Sequence, residues 1–289
     1  DKPDSEQSSP KDTLQETGPL PALATWHASV AYDGAGFRGW QIQPEQRTVQ
    51  GELQKRLRLI FRQPELRLTA TSRTDAGVHA LDQHVSFVAP SSEELAPDHV
   101  RQTLNRWLTA DVQVRFVEFV RTGFSARHDP IGKAYTYVVY TGEKCHPLFS
   151  RFTWHVQRRL DLSSMQQAAK HLVGEHDFSS FAVNPRREIA TRVRYLHRVE
   201  VTSVGDFVFF NVVGESFLYK MVRSIVGYLI FVGRGDAQPD DILDVLRACD
   251  RSVAADSAPG QGLFLAKVFF DRNALPTYEP LLPPFAWHV

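Results

Sequence analysis

A single acidic residue in a short glycine-containing segment is the strongest candidate for chemistry in this sequence. Residues 73–80 read Arg-Thr-Asp-Ala-Gly-Val-His-Ala and lie between two short apolar stretches that predict strands. The glycine permits a tight backbone path beside Asp75. On spacing alone, an Asp-x-Gly is more often a turn whose carboxylate caps its own backbone, so these residues by themselves indicate only a loop.

A second segment, residues 34–39, matches the G-x-G-x-x-G pattern of dinucleotide-binding folds and follows a predicted strand. Such a fold needs a helix that opens directly at the glycines. Here Pro44 follows instead, and the next helical pattern begins near Thr48. We therefore interpret the segment as a glycine-rich turn that carries exposed Phe37, Arg38 and Trp40, rather than as a nucleotide site.

Metal and disulfide chemistry have little support in the sequence. The two cysteines, Cys145 and Cys249, are too few for a disulfide framework, and no spacing of Cys and His is typical of a zinc site. We expect no metal, no cofactor and a reducing, cytoplasmic environment. The most apolar stretch, residues 217–232, contains Lys220 and Arg223 and is too short to span a bilayer, so no membrane association is expected.

The charge distribution allows a nucleic-acid partner but does not require one. The 289 residues have a formal net charge of zero, yet residues 1–24 contain five acids and two lysines, which leaves residues 25–289 with a net charge of +3. The basic side chains cluster in one stretch, which could equally be a solvated strand and loop or an RNA-binding surface. The cluster consists of Arg186, Arg187, Arg192, Arg194 and Arg198.

Alternating and helical periodicities together predict an α+β protein with mainly antiparallel sheet. Residues 49–61 repeat apolar side chains every four positions behind the N-cap candidate Thr48, and residues 193–201 alternate strictly. A long buried helix is expected over residues 217–232, and a closing strand over 263–270. The predicted organisation is a disordered tail (1–24), an N-terminal α/β half (25–128), a C-terminal α/β half (129–275) and a C-terminal tail (276–289).

Several segments in the same order resemble one enzyme family. Residues 73–80 are similar to the catalytic loop of the TruA family of tRNA pseudouridine synthases, usually written G-R-T-D-A-G-V-H-A. The resemblance extends from about residue 26 to 272 and includes an early Gly-Trp-Gln element, a Tyr-x-Tyr strand, a D-F-x-x-F segment, a long active-site helix and a G-L-x-L strand. Those segments are residues 37–41, 124–137, 177–181, 217–227 and 258–265.

The resemblance implies a fold, an activity and roles for particular residues. The expected fold is two α/β halves flanking a central basic cleft. The expected activity is isomerisation of uridine to pseudouridine at positions 38–40 of the tRNA anticodon stem-loop, without cofactor, by a homodimer. Asp75 matches the catalytic aspartate, Arg223 its guanidinium partner, and Tyr135 the tyrosine that stacks on the target base and is a candidate base for the C5 proton. Leu263 matches the apolar residue beneath that base.

RNA contacts are expected from four arginines. Arg73 and Arg127 match RNA-contacting positions of the family, with Arg73 the candidate to fill the space left by a flipped uridine. Arg38 and Arg192 complete the expected set, which is Arg38, Arg73, Arg127 and Arg192.

Three departures from the family pattern flank these positions. Ser72 replaces a glycine, Lys133-Ala134 replaces an arginine-rich pair, and Tyr219-Lys220 replaces a His-rich pair. The alternative hypothesis is a catalytically inactive RNA-binding or tRNA-chaperone relative of the same fold. The presence of Asp75, Tyr135 and Arg223 together favours the enzyme.

Overall fold

The computed structural model describes residues 22–183, 190–275 and 277–280 of the chain. The N-terminal half contains four strands and two helices that follow the predicted order. They are β1 (Leu23–Tyr32), α1 (Val49–Ile60), β2 (Thr69–Ala70), β3 (His79–Pro90), α2 (Pro97–Trp107) and β4 (Val112–Val120). Because β1 begins at Leu23, residues 23 and 24 belong to the sheet rather than to the predicted tail, whose first 21 residues lie outside the described part.

The C-terminal half repeats the alternation of strands and helices. Its elements are β5 (Gly132–Tyr140), α3 (Pro147–Ser150), β6 (Trp154–His155), α4 (Leu162–Lys170), β7 (Gly174–Asp177), β8 (Val193–Val204), β9 (Phe207–Gly214), α5 (Met221–Gly233), α6 (Asp241–Ala248) and β10 (Leu263–Phe269). Of the predicted C-terminal tail, the structure describes only residues 277–280. No helix in the described ranges is long and apolar enough to cross a bilayer.

One ten-stranded sheet joins the two halves. The strand order is β4-β1-β3-β10-β5-β9-β8-β7, with β2 paired to β3 and β6 paired to β5. The pairing is antiparallel except for β10 with β3 and β5 with β6. The predicted α+β class is confirmed. The two predicted halves do not form separate sheets, because β10, which belongs to the C-terminal half, pairs with β3 of the N-terminal half as well as with β5.

Two hydrophobic cores meet at the middle of this sheet. The N-terminal core packs α1 and α2 against β1, β3 and β4, with Trp26 fully buried. The C-terminal core packs α4, α5 and α6 against β5, β8 and β9, with Phe210 fully buried. Tyr135 contacts both cores. Since each core fills its own half, the boundary between them leaves room for a cleft that Tyr135 faces.

The helix predicted over residues 217–232 begins later than expected. Lys220 has a left-handed backbone conformation with φ of 59°, so α5 starts at Met221 and ends at Gly233. A non-glycine residue in this conformation breaks the helical hydrogen-bond pattern. Residues 217–220 form a separate turn instead, which is anchored where the Val183 N–H donates to the Tyr219 carbonyl oxygen at 3.1 Å.

The packing of α5 against the segment before β10 depends on Gly227. A Cβ atom at this position would lie 1.9 Å from the Asp256 carbonyl oxygen. We expect Gly227→Ala to lower the free energy of unfolding by about 1–3 kcal/mol, because the helix and the segment must move apart. Chemical denaturation measures this loss. Gln167→Ala, an exposed substitution on α4, is the control and should leave the unfolding midpoint unchanged.

Candidate active site

A pocket of about 440 Å³ opens where the two halves meet. Its lining includes the turn after the glycine-rich segment, the loop around Asp75, the start of β5, the turn before α5 with the first residues of α5, and the first residue of β10. Among the lining residues are Asp75, Tyr135, Arg223 and Leu263, the four residues of the predicted chemical centre. Residues that are far apart in the sequence therefore converge on one cavity.

Asp75 and Arg223 form a close ion pair inside this pocket. The Arg223 Nη1 donates to the Asp75 Oδ2 at 2.7 Å, and the Arg223 Nε donates to the Ala258 carbonyl oxygen at 2.7 Å. The side chains are 14% and 18% exposed, for Arg223 and Asp75 respectively. Because two acceptors hold the guanidinium from different directions, the arginine orients the carboxylate as well as neutralising it. The predicted pairing is present.

The glycine-rich turn supports the loop that carries Asp75. Gly39 has φ of 90°, and a Cβ atom there would lie 2.7 Å from the Thr74 carbonyl oxygen, so only glycine permits this approach. The neighbouring Trp40 N–H donates to that carbonyl oxygen at 3.0 Å. The Gly34 N–H donates to His79 Nδ1 at 3.0 Å at the other end of the loop. The segment that resembled a dinucleotide site is thus a scaffold for the acidic loop.

The prediction that Phe37 and Trp40 are exposed is wrong. Both side chains are buried in the N-terminal core, 3% and 2% exposed, whereas Arg38 is exposed as predicted. The backbone of the turn folds back over α1 and directs its two aromatic side chains inward. A turn prediction specifies the backbone but not which of its side chains contact a distant helix.

Tyr135 lies beside the acidic loop with a protonated hydroxyl. Burial raises the pKa of Tyr135 to about 12, the negative charge of Asp75 adds to this rise, and a hydrogen bond with Ser72 opposes it. The Ser72 Oγ lies 3.3 Å from the tyrosine oxygen, a contact that the family's usual glycine cannot make. At neutral pH the Tyr135 hydroxyl is therefore protonated. It can accept a proton from a substrate only if it transfers its own proton to another group.

The floor of the pocket is apolar and held by a second tyrosine. Leu263 is 6% exposed and pairs with Tyr137 across β10 and β5. The Tyr137 hydroxyl donates to the Pro259 carbonyl oxygen at 2.7 Å, and its ring is fully buried. Tyr137 is a core aromatic residue, and its hydrogen bond fixes the segment that precedes Leu263.

The four predicted RNA-binding arginines divide into two groups. Arg73 and Arg127 line the pocket and are exposed, while Arg38 and Arg192 lie outside its lining. The neighbouring Arg186 and Arg187 of the basic cluster lie outside the described residues. RNA binding by any of the four remains a prediction, and the geometry favours Arg73 and Arg127 as the two that can reach a nucleotide in the pocket.

Further pocket residues were not predicted as functional. Lys133, Phe217, Tyr219 and Lys220 also line the cavity, and Tyr219 is 45% exposed at its edge. Three of them belong to segments where the sequence departs from the family pattern. These departures lie next to Tyr135 and just before Arg223, and this position was the sequence feature that could have identified Lys133, Tyr219 and Lys220 as pocket residues. In the described residues no group of three or more His, Cys, Asp or Glu side chains is arranged to hold a metal ion.

Comparisons with known proteins agree with this geometry. A family model described as tRNA pseudouridine synthase matches residues 28–128 and 168–271, which contain Asp75 and Arg223. The chain belongs to the tRNA pseudouridine synthase family. The resemblance to TruA enzymes is confirmed, and the predicted activity, isomerisation of uridine to pseudouridine in tRNA, is that of this family.

Individual relatives match over most of their length. The tRNA pseudouridine synthase A of Geobacillus kaustophilus (strain HTA426) is 41% identical over 248 residues, covering 85% of this chain and 94% of that protein. The enzyme of the same name from Bacillus subtilis (strain 168) is 38% identical over 246 residues, covering 84% and 98%. A crystal structure of a Cbf5–Nop10–Gar1 complex is 15% identical with a TM-score of 0.30, covering 71% of this chain and 54% of that chain, a likeness too weak to bear on function.

Proposed function

We propose that this tRNA pseudouridine synthase isomerises uridines at positions 38–40 of the anticodon stem-loop, with Asp75 as its catalytic residue. The observation that carries the proposal is the Asp75–Arg223 pair at 2.7 Å inside a pocket of about 440 Å³. A uridine within a helical stem cannot reach such a pocket while stacked, so the nucleotide must flip out of the stem. Arg73, exposed at the pocket, is the candidate to occupy the vacated space.

The reaction breaks the bond between C1′ and N1 of uridine and forms one between C1′ and C5, and the C5 proton is released. Asp75 acts either as the nucleophile at C1′ or as the carboxylate that stabilises a glycal-like intermediate and removes a proton. Arg223 serves both routes because its guanidinium, 2.7 Å from the Asp75 Oδ2, orients the carboxylate and balances its charge where water is largely excluded. Tyr135 and Leu263 hold the detached base from two sides while it rotates.

The proposed role of Tyr135 gives a separate prediction. We expect Tyr135→Phe to lower kcat about 10²-fold, because the ring can still stack on the base but no hydroxyl relays the C5 proton. Single-turnover release of tritium from C5-labelled uridine in tRNA measures this effect. Tyr137→Phe is the matched control, since it removes a hydroxyl that bonds only the Pro259 carbonyl oxygen, and it should retain most of the activity. Equal losses in the two variants would contradict the relay.

The choice of positions is tested on defined substrates. Anticodon stem-loop transcripts that carry one uridine each, at position 38, 39 or 40, or at a neighbouring stem position, are incubated with the protein. Mass-spectrometric mapping should find pseudouridine in the first three and none in the fourth. Conversion at the neighbouring stem position with none at 38, 39 or 40 would overturn the assignment.

The proposal also includes a homodimer, acting in the cytoplasm without metal or nucleotide cofactor. Support for the dimer comes from the family resemblance. Sedimentation velocity at micromolar concentration should show a species of twice the chain mass. A monomer across that concentration range would refute the dimer, but it would not contradict the proposed reaction at Asp75.

A further inference from the structure

Lys133 is a cation of the pocket that the proposed mechanism does not use. It lies on β5 two residues before Tyr135, lines the cavity and is half-buried. Within the described residues its ammonium group has neither a hydrogen-bond acceptor nor a carboxylate at ion-pair distance. A half-buried ammonium without a partner is unfavourable, so an anionic group that supplies one would bind there with a gain in free energy.

A second cation lies close enough to increase this positive potential. Burial lowers the pKa of Lys133 to about 8, and the positive charge of Arg194 on β8 contributes to the fall. Arg194 is itself half-buried, and its Nε is buried without a hydrogen-bond partner in the described structure. Its Nη1 donates only to backbone carbonyl oxygens, those of Thr191 at 2.9 Å and Val193 at 2.6 Å. No carboxylate of the described residues lies at ion-pair distance from either cation, although the negative charge of Asp177 on β7 partly offsets the effect of burial on the pKa of Arg194.

The other charged groups around the pocket do not supply the missing anion. The one acidic residue in the described lining, Asp75, is already held by Arg223. On β9, Gly214 faces Lys133, and Glu215 beyond it is directed to His197 at 3.8 Å. On β10, Lys267 is paired with Asp82 at 3.0 Å. The remaining titratable or charged residues of the lining are cationic or phenolic: Arg73, Arg127, Tyr135, Tyr219 and Lys220.

We propose that Lys133, with Arg194 behind it, binds a phosphodiester group of the RNA strand that carries the target uridine. The proposal rests on the proposed function, because it takes RNA as the ligand of this pocket. A phosphodiester is the anionic group that recurs beside every nucleotide, so a base held between Tyr135 and Leu263 brings one close to the pocket wall. An ammonium suits it as a point charge, whereas a guanidinium would bind it in a fork.

A lysine at this place makes RNA binding depend on pH, with a defined sign. The ammonium form binds phosphate, so the free-state pKa of about 8 sets where affinity begins to fall as the pH rises. Bound phosphate raises the pKa of Lys133, and the proton is therefore retained longer in the complex. Between pH 7 and pH 9 the Kd for tRNA should increase about tenfold. An arginine stays charged over this range and would remove the dependence.

The test measures tRNA affinity by fluorescence anisotropy with the full chain at pH 7, 8 and 9 and at several salt concentrations. We compare the unmodified protein with Lys133→Arg and Lys133→Met. Lys133→Arg should bind with a Kd that does not change with pH. Lys133→Met should bind about tenfold more weakly at pH 7 and lower the slope of log Kd against log salt by about 0.7–0.9, the value of one lost phosphate contact.

Two results would overturn the phosphate site. One is a pH dependence in Lys133→Arg equal to that of the unmodified protein, and the other is an unchanged salt slope in Lys133→Met. Thermal unfolding of both variants identifies a folding defect, and Lys133→Arg decides the question if Lys133→Met fails to fold. Because Kd is measured without turnover, failure to release tritium would count against the proposed function alone, while the titrations would still decide the phosphate site.

Discussion

Asp75→Asn is expected to lower kcat for pseudouridine formation by at least about 10⁴-fold while leaving the Kd for tRNA within about threefold of the original value. The amide occupies the same space and can still accept a hydrogen bond from the Arg223 Nη1, which lies 2.7 Å from the Asp75 Oδ2. It can neither attack C1′ nor remove a proton from the sugar. The chemical step therefore fails while binding persists.

The matched control for this substitution is Asp244→Asn. Asp244 is also a carboxylate paired with an arginine, Arg247, but it lies exposed on α6 and is not part of the pocket lining. Single-turnover tritium release should be unchanged in this variant. If Asp75→Asn retained more than about one hundredth of the original rate, the carboxylate would not be the reacting group.

Arg223→Met should reduce kcat by about 10²–10³-fold and destabilise the fold by about 3 kcal/mol. Methionine fills similar volume but leaves the Asp75 carboxylate, 18% exposed, without its counterion. The Ala258 carbonyl oxygen also loses its donor at 2.7 Å. Arg223→Lys restores the positive charge but not both hydrogen bonds. Its activity should therefore lie between that of Arg223→Met and that of the unmodified protein.

Two measurements separate the electrostatic role of Arg223 from a general loss of structure. Arg247→Met removes an exposed guanidinium that pairs with Asp244, and we expect no change in kcat or in the unfolding midpoint. The double variant Asp75→Asn with Arg223→Met should be more stable than Arg223→Met alone, because no unpaired carboxylate remains. A double variant less stable than either single one would contradict the ion-pair account.

The predicted elements that agree with the structure are those fixed by local periodicity. The four-residue repeat after Thr48 and the strict alternation after Val193 each require one face of a helix or strand to be buried. The need of Arg223 for a partner could also be predicted locally, because a charged side chain within the apolar helix α5 requires an acidic or hydrogen-bonding partner. The sequence pattern predicted that partner only through the family resemblance, because Asp75 is 148 positions away.

The features that sequence reasoning missed depend on contacts between distant segments. No local pattern shows that β10 pairs with both β3 and β5 and so joins the halves. The burial of Phe37 and Trp40 depends on where α1 packs, and the turn before α5 depends on the left-handed backbone conformation of Lys220. Such positions are set by tertiary packing, which overrides local propensity.

The most direct test of the central claim is one reaction in the presence of a metal chelator. tRNA labelled with tritium at uridine C5 is incubated with the unmodified chain or with Asp75→Asn, and both released tritium and pseudouridine are quantified. We predict one tritium released per pseudouridine formed by the unmodified chain and neither product from the variant. Pseudouridine formed by Asp75→Asn at the unmodified rate would contradict the assignment of the chemistry to this carboxylate.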